Sequence, residues 1–236
     1  DTGTVDHGNG TRRVFTQWSG DASGTNYAKS DPILMSRPKT AIANWKTQYY
    51  LAVFSPSGSP YYGSPTPPPP GDWFDAGSLI TASVTSPWPG PSGTQYVCTG
   101  WTGTGSVPSF GTGTSVSFIL DEPSSITWNW KTQYQVTFGQ TGVGPDFTGI
   151  VVTIDGIDYD RSGLPHEFWW DENSDHNFAF ASPLVVDANK KYVWQSTSGL
   201  SSLQSGTLHV TTSGSVIGNY VVHNSIIFDQ TGVGPD

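Results

Sequence analysis

The side chains best suited to proton transfer near neutral pH are five histidines: His7, His166, His176, His209 and His223. None of them forms the HxxxH or HExxH spacing that puts two metal ligands on one face. The sequence contains neither a Gly-x-Ser-x-Gly elbow nor a phosphate-cradling glycine loop. Gly142-Val143-Gly144 lacks a third glycine and a following helix, and its return at Gly232-Val233-Gly234 reads as a structural turn. Paired carboxylates for glycoside hydrolysis stay open from sequence. On these grounds the chain is expected to be no enzyme, with no catalytic residues.

Two acidic clusters could hold calcium, which takes six to eight oxygen ligands. One is Asp155, Asp158 and Asp160; the other is Asp171, Glu172, Asn173 and Asp175. Neither fits an EF-hand loop, and a solvated acidic turn fits both equally well. Calcium is therefore the only cofactor the residues suggest. A flat Trp face can stack on a pyranose, which makes Trp73, Trp88, Trp169 and Trp170 candidates for carbohydrate. Strand alternation puts one of Trp169 and Trp170 outward. Asn9-Gly10-Thr11 is a glycosylation sequon and so a candidate modified surface loop.

These residues stand in an unusual background. The chain of 236 residues has a net charge of −9, and only 12 % of its residues are charged. It carries 10 Trp, 10 Tyr and 11 Phe beside 28 Gly and 18 Pro. So many aromatics with so little charge mean a folded chain, and the Gly and Pro punctuation suits short strands joined by tight turns. An acidic chain lacks the electrostatic footprint of a nucleic-acid binder. No apolar run reaches the roughly 20 residues of a membrane helix. One cysteine, Cys98, allows no disulfide within the chain and no cysteine metal cluster. The sequence starts at Asp1 and its only methionine is Met35, so a processed piece of a longer precursor is expected.

Internal repeats organise the chain. Asn44-Trp45-Lys46-Thr47-Gln48-Tyr49 recurs 85 positions on as Asn129-Trp130-Lys131-Thr132-Gln133-Tyr134. Asn219 follows Asn129 after a further 90. Arg13 to Trp18 matches Tyr96 to Trp101, with Tyr192-Val193-Trp194 as a third copy. Phe138 to Asp146 returns as Phe228 to Asp236. The expected layout is an incomplete module (1–46), a complete module (47–131), a complete module of a second subtype (132–220) and a strand stub (221–236). Strand-like runs include Val14 to Trp18, Thr40 to Trp45, Leu79 to Val84, Val116 to Leu120, Ile126 to Trp130 and Thr207 to Thr211. The fold expected is all-β: tandem immunoglobulin-like β-sandwich modules of about 85–90 residues. Trp18, Trp45, Trp101, Trp130 and Trp194 recur at equivalent places and read as core anchors. Asn44 to Lys46 and Asn129 to Lys131 read as junction linkers.

The stretches Phe15 to Gly24 and Lys39 to Leu51 resemble β-repeats of very large prokaryotic surface proteins, especially archaeal ones. They are loosely similar to the B-repeat of internalin-type proteins. The run from Val151 through Phe168-Trp169-Trp170-Asp171 to Trp194 looks like a companion module of such arrays. The resemblance implies an extracellular, cell-surface location and stalks, adhesins or filaments. It also implies self-formed Lys–Asn isopeptide bonds, for which Lys46 and Lys131 beside Asn44 and Asn129 are the suspects.

Incomplete modules need partners. Residues 1–46, the C-terminal half of a module, lack whatever corresponds to positions 47–83 of the next one, while Val221, Val222, Ile226, Ile227 and Phe228 form an apolar strand without a module to join. Strand addition at a sheet edge would link copies head to tail into a polymer. A covalent tandem array is the rival account. The function expected is a structural subunit of a cell-surface filament or array; an adhesin or carbohydrate-binding module is the alternative.

Overall fold

A computed structural model describes residues 3–56 and 61–232. Strands make up 56 % of the protein, and no α-helix occurs among the described residues. The chain divides into two compact units, 1–88 with 96–131, and 89–95 with 132–236.

In chain order, the first nine strands are β1 (Thr4–Asp6), β2 (Thr11–Gly20), β3 (Ala41–Phe54), β4 (Gly71–Asp75), β5 (Ser78–Ser83), β6 (Trp88–Pro89), β7 (Thr94–Thr104), β8 (Phe110–Gly111) and β9 (Ser115–Leu120), all in the first unit save Pro89 of β6 and Thr94 and Gln95 of β7. The strand β10 (Ser124–Thr141) begins here and runs into the second unit. β1, β2 and β3 form an antiparallel meander. β4 pairs antiparallel with β3 over Gln48 to Ala52. β10 pairs parallel with β3, from Leu51 opposite Ser124 to Phe54 opposite Thr127. β5 and β9 make a separate two-stranded sheet. Alternation aims every second side chain inward. Leu51, Val53, Ile80, Ala82, Phe118, Leu120, Ile126 and Trp128 are all buried in one core.

The second unit continues with β11 (Ile150–Ile154), β12 (Ile157–Asp160), β13 (His166–Asp171), β14 (Asp175–Phe180), β15 (Leu184–Val185), β16 (Lys190–Gly199), β17 (Ser205–His209) and β18 (Gly214–Asn224). One sheet is ordered β13-β10-β18-β16-β15, and the other β12-β11-β14-β17. Asp155 and Gly156, at φ +49° and +80°, make the two-residue turn between β11 and β12. Positive φ at both central residues matches strand twist there, and Asp-Gly supplies it at low cost. Val136, Phe138, Val152, Ile154, Phe178, Phe180, Leu208, Val216 and Tyr220 form the core.

The sequence offsets carry one unit's pairing onto the other's. The 85-residue offset takes Leu51 to Val136, and the 90-residue offset takes Ser124 to Gly214. Val136 is the parallel partner of Gly214, as Leu51 is of Ser124. A register irregularity in β2 between Phe15 and Gln17, opposite β3, reappears in β16 between Trp194 and Ser196, opposite β18. The expected junction linkers are corrected by this pattern. Asn44 to Lys46 lies inside β3, and Asn129 to Lys131 lies inside β10. Both runs are strand interior, not the loops that a linker would be.

Candidate functional site

Two stretches of the chain stand out because their equivalents are buried. The first is the end of the chain. Val221 and Val222 extend β18 against Val193 and Tyr192 of β16, so the first two members of the expected polymerisation strand belong to their own sheet. Ile226, Ile227 and Phe228 have no strand partner among the described residues and are 77 %, 80 % and 90 % exposed. The positions 90 residues earlier, Val136 and Phe138, are 0 % exposed.

What this motif does is visible in the second unit. Thr141 donates its hydroxyl to Asn219 Oδ1 at 2.8 Å. Gln140 Oε1 accepts the Val143 N–H at 3.0 Å, and Val143 is buried. Asp146 accepts from Tyr192 Oη at 2.6 Å and pairs with Lys190 Nζ at 2.7 Å. Lys190, followed by Tyr192, holds the Asp146 carboxyl below the usual carboxylate range. The motif therefore ties the end of β10 and the segment after it to β18 and β16. In its second copy, Val233 to Asp236 lie outside the described residues.

The second stretch is the start of β3. Ala41, Ala43 and Trp45 are exposed. Their equivalents Ile126 and Trp128 are buried, as are Val216, Gly218 and Tyr220. Trp45 was expected to be a core anchor. It instead stands 36 % exposed, in a rim of edge-on contacts with Phe15 and Tyr27. Among the described residues no second sheet covers this face, whereas Ile80 and Ala82 of β5 and Phe118 and Leu120 of β9 pack in one core with Ile126 and Trp128. Asp21 tethers the strand's beginning. It accepts from the Thr40 N–H at 3.0 Å and from Lys39 Nζ at 3.0 Å, and these two hold its carboxyl below the usual range.

The other anchors divide. Trp101 is buried, Trp130 and Trp194 pack half-buried against the two cores, and Trp18 is half-buried. Trp128, 1 % exposed, is the largest fully buried side chain and is absent from the expected anchors. Strand alternation already marks it, since Ile126, Trp128 and Trp130 share a face.

The carboxylates suggested for calcium do not converge. Asp158 accepts from Thr153, Asp160 caps the turn at Ser162 and Gly163, and Asp171 accepts from Gln133. Asp155 faces His176, and Asp175 faces His209. Among the described residues, no group of three or more His, Cys, Asp or Glu gathers as a metal site. These carboxylates are each held by a separate partner.

One constellation escaped the sequence. Asp155 Oδ2 lies 2.6 Å from His176 Nδ1, and His176 Nε2 lies 2.9 Å from Ser174 Oγ. This is the connectivity of an acid–base–nucleophile triad. However, the Ser174 hydroxyl donates to the Asp171 carbonyl at 2.6 Å. A hydroxyl has one proton, and the Asp171 carbonyl, which can only accept, competes for it with the His176 ring nitrogen. The imidazole also stacks on Trp170 at 3.6 Å, with the two rings nearly parallel. The group is a clasp fastening the turn between β13 and β14 to Asp155. Serine and histidine two apart share one strand face, which is legible locally; the distant Asp155 is not.

Of the candidate sugar platforms, Trp169 is 39 % exposed while Trp170 is buried. Trp88 is half-buried, and Trp73 is covered by the Arg12 guanidinium at 4.5 Å and by Tyr50. Asn9 is exposed, its Oδ1 accepting the Thr11 N–H. Lys46 is paired with Asp75 at 2.9 Å, not with an asparagine. No helix among the described residues is long and apolar enough to cross a membrane.

None of the family models, curated proteins or solved structures compared with the chain matches it. The class that the fold defines is an all-β protein with several sheets.

Proposed function

We propose that this chain is an extracellular structural subunit of a cell-surface filament or array, without catalytic activity. In this reading it consists of tandem immunoglobulin-like modules joined head to tail by β-strand pairing. One observation carries it: Ile226 and Phe228 are 77 % and 90 % exposed, at the register of Val136 and Phe138, which are 0 % exposed. Burying each such side chain is worth roughly 1.5–3 kcal/mol, before any ladder hydrogen bonds. The same pairing would serve between copies or along a longer tandem polypeptide.

Electron micrographs and sedimentation of the purified chain test the reading. The intact chain is expected to form linear polymers, and a chain ending at Asn224 to remain monomeric with its fold retained. Equal assembly by the shortened chain would overturn it. A second reading, carbohydrate binding, draws support from exposed Trp169 alone; a glycan array comparing the chain with Trp169→Ala addresses it.

A further inference from the structure

We propose that residues 226–231 of one copy add to the open edge of β3 in a second copy of this chain. The added strand runs parallel to residues 39–44, with Ile226 opposite Lys39 and Thr231 opposite Asn44. The proposal rests on the filament reading above and names its acceptor and register.

The edge is free. β2 and β4 both pair with Gln48 and Tyr49, so they occupy opposite sides of β3. β4 reaches no further than Gln48, Ala76 just after it donates its N–H to the Thr47 C=O at 2.9 Å, and among the described residues no strand covers that side of β3 over 41–46. Thr40 spends its C=O and N–H on Asp21, on the β2 side. By alternation, the N–H and C=O groups of Ala41 and Ala43 point to the open side.

The register follows from pairings the chain already makes twice. Leu51 opposite Ser124 and Val136 opposite Gly214 are equivalent under the repeat offsets. The next step of the same offsets places Ile226 opposite Lys39. In the second unit, β18 is flanked by β10 on one side and β16 on the other. The matching flank of β3 that holds β2 is filled, and the flank that would hold a β10 equivalent is the open one.

Two further observations point to the same occupant. Asn219 directs Nδ2 at Ser196 and Ser198, and its Oδ1 receives Thr141. Asn44 likewise directs Nδ2 at Ser19 and Gln17, but no donor among the described residues reaches its Oδ1. Thr231 is the residue equivalent to Thr141. The second observation concerns glycine. Gly142 and Gly232 have φ of +90° and +91°. A β-carbon on Gly142 would meet the Tyr220 carbonyl at 2.0 Å, whereas one on Gly232 meets nothing within 4 Å. The equivalent of Tyr220 in the acceptor is Trp45. Gly232 thus holds the turn shape of a docked strand with nothing yet against it.

The test uses the 236-residue chain carrying Ile227→Cys and Thr40→Cys, a predicted opposed pair. Cys98 is buried and stays out of the reaction. Oxidation is expected to give disulfide-linked dimers and higher multimers on a non-reducing gel. Ile227→Cys with Ile42→Cys, displaced by two residues, is expected to give none, because the Cα separation then exceeds about 7 Å. Polymers that form without the in-register cross-link overturn this inference and leave the filament reading standing. An unmodified chain that stays monomeric at all concentrations overturns both. A disulfide closed within one chain overturns a second copy as the partner. As a second variant, Gly232→Val is expected to lose assembly with an unchanged melting temperature; assembly at the wild-type level would overturn the register.

Discussion

Gly142 lies against the backbone of Tyr220 so closely that a β-carbon on it would fall 2.0 Å from the Tyr220 carbonyl oxygen. Its φ of +90° is also one that side-chain-bearing residues avoid. Gly142→Ala should therefore destabilise the second unit by about 1–3 kcal/mol, because backbone rather than a flexible side chain must move. Gly232→Ala should leave the melting temperature of the monomer within a degree or so of wild type, a difference calorimetry would show.

Trp128 and Trp101 pack edge to face at 5.9 Å, and both indole N–H groups are buried without a hydrogen-bond partner among the described residues. An unsatisfied buried donor costs about 1–3 kcal/mol. Trp128→Phe should accordingly cost less than its lost volume implies, while Trp128→Ala should cost about 3–5 kcal/mol. Urea unfolding of the two variants measures the contrast; equal losses would refute it.

Stability should fall at both ends of the pH scale through Asp146 and Lys190. Lys190 first, and then Tyr192, hold the Asp146 carboxyl below its ordinary value. That contribution is complete above the unfolded pKa, about 4, and is lost as pH falls through the lower folded value. Asp146 in turn raises the Lys190 pKa, so its contribution is complete below about 10.4 and is lost as pH rises through the higher folded value. Asp146→Asn should flatten both limbs of a melting-temperature profile against pH.

The Ser174–His176–Asp155 clasp should act on stability and not on chemistry. Ser174→Ala removes a hydroxyl that joins His176 to the Asp171 carbonyl, at a cost of about 0.5–1.5 kcal/mol. Hydrolysis of an activated ester should be the same for the variant and the wild-type chain. A drop in the variant would mean that Ser174 is a nucleophile after all.

Much of the fold was legible locally. Val14 to Trp18, Ile126 to Trp130 and Val116 to Leu120 lie within strands, because alternating β-branched and aromatic residues suit a half-buried pleated surface. Asp155-Gly156 announced its own turn. The open edge at Ala41 and Ala43 was not legible. Their small side chains carry no signal, and an edge is open only because no other strand reaches it. The acidic clusters misled for the same reason: Asp155, Asp158 and Asp160 are close in sequence but turn to His176, Thr153 and Ser162.

The sequence by itself determined the strands and the repeat. Period-two alternation and a six-residue identity such as Asn44 to Tyr49 are properties of neighbouring residues along the chain. The tertiary structure alone decided which equivalents are covered. Trp45, Trp130 and Tyr220 share one position in the repeat, yet Trp45 is 36 % exposed, Trp130 packs half-buried and Tyr220 is 5 % exposed, with its hydroxyl on the Ala181 carbonyl. Alternation says which side chains share a face, but burial also needs a second sheet, and that comes from residues far away in the chain.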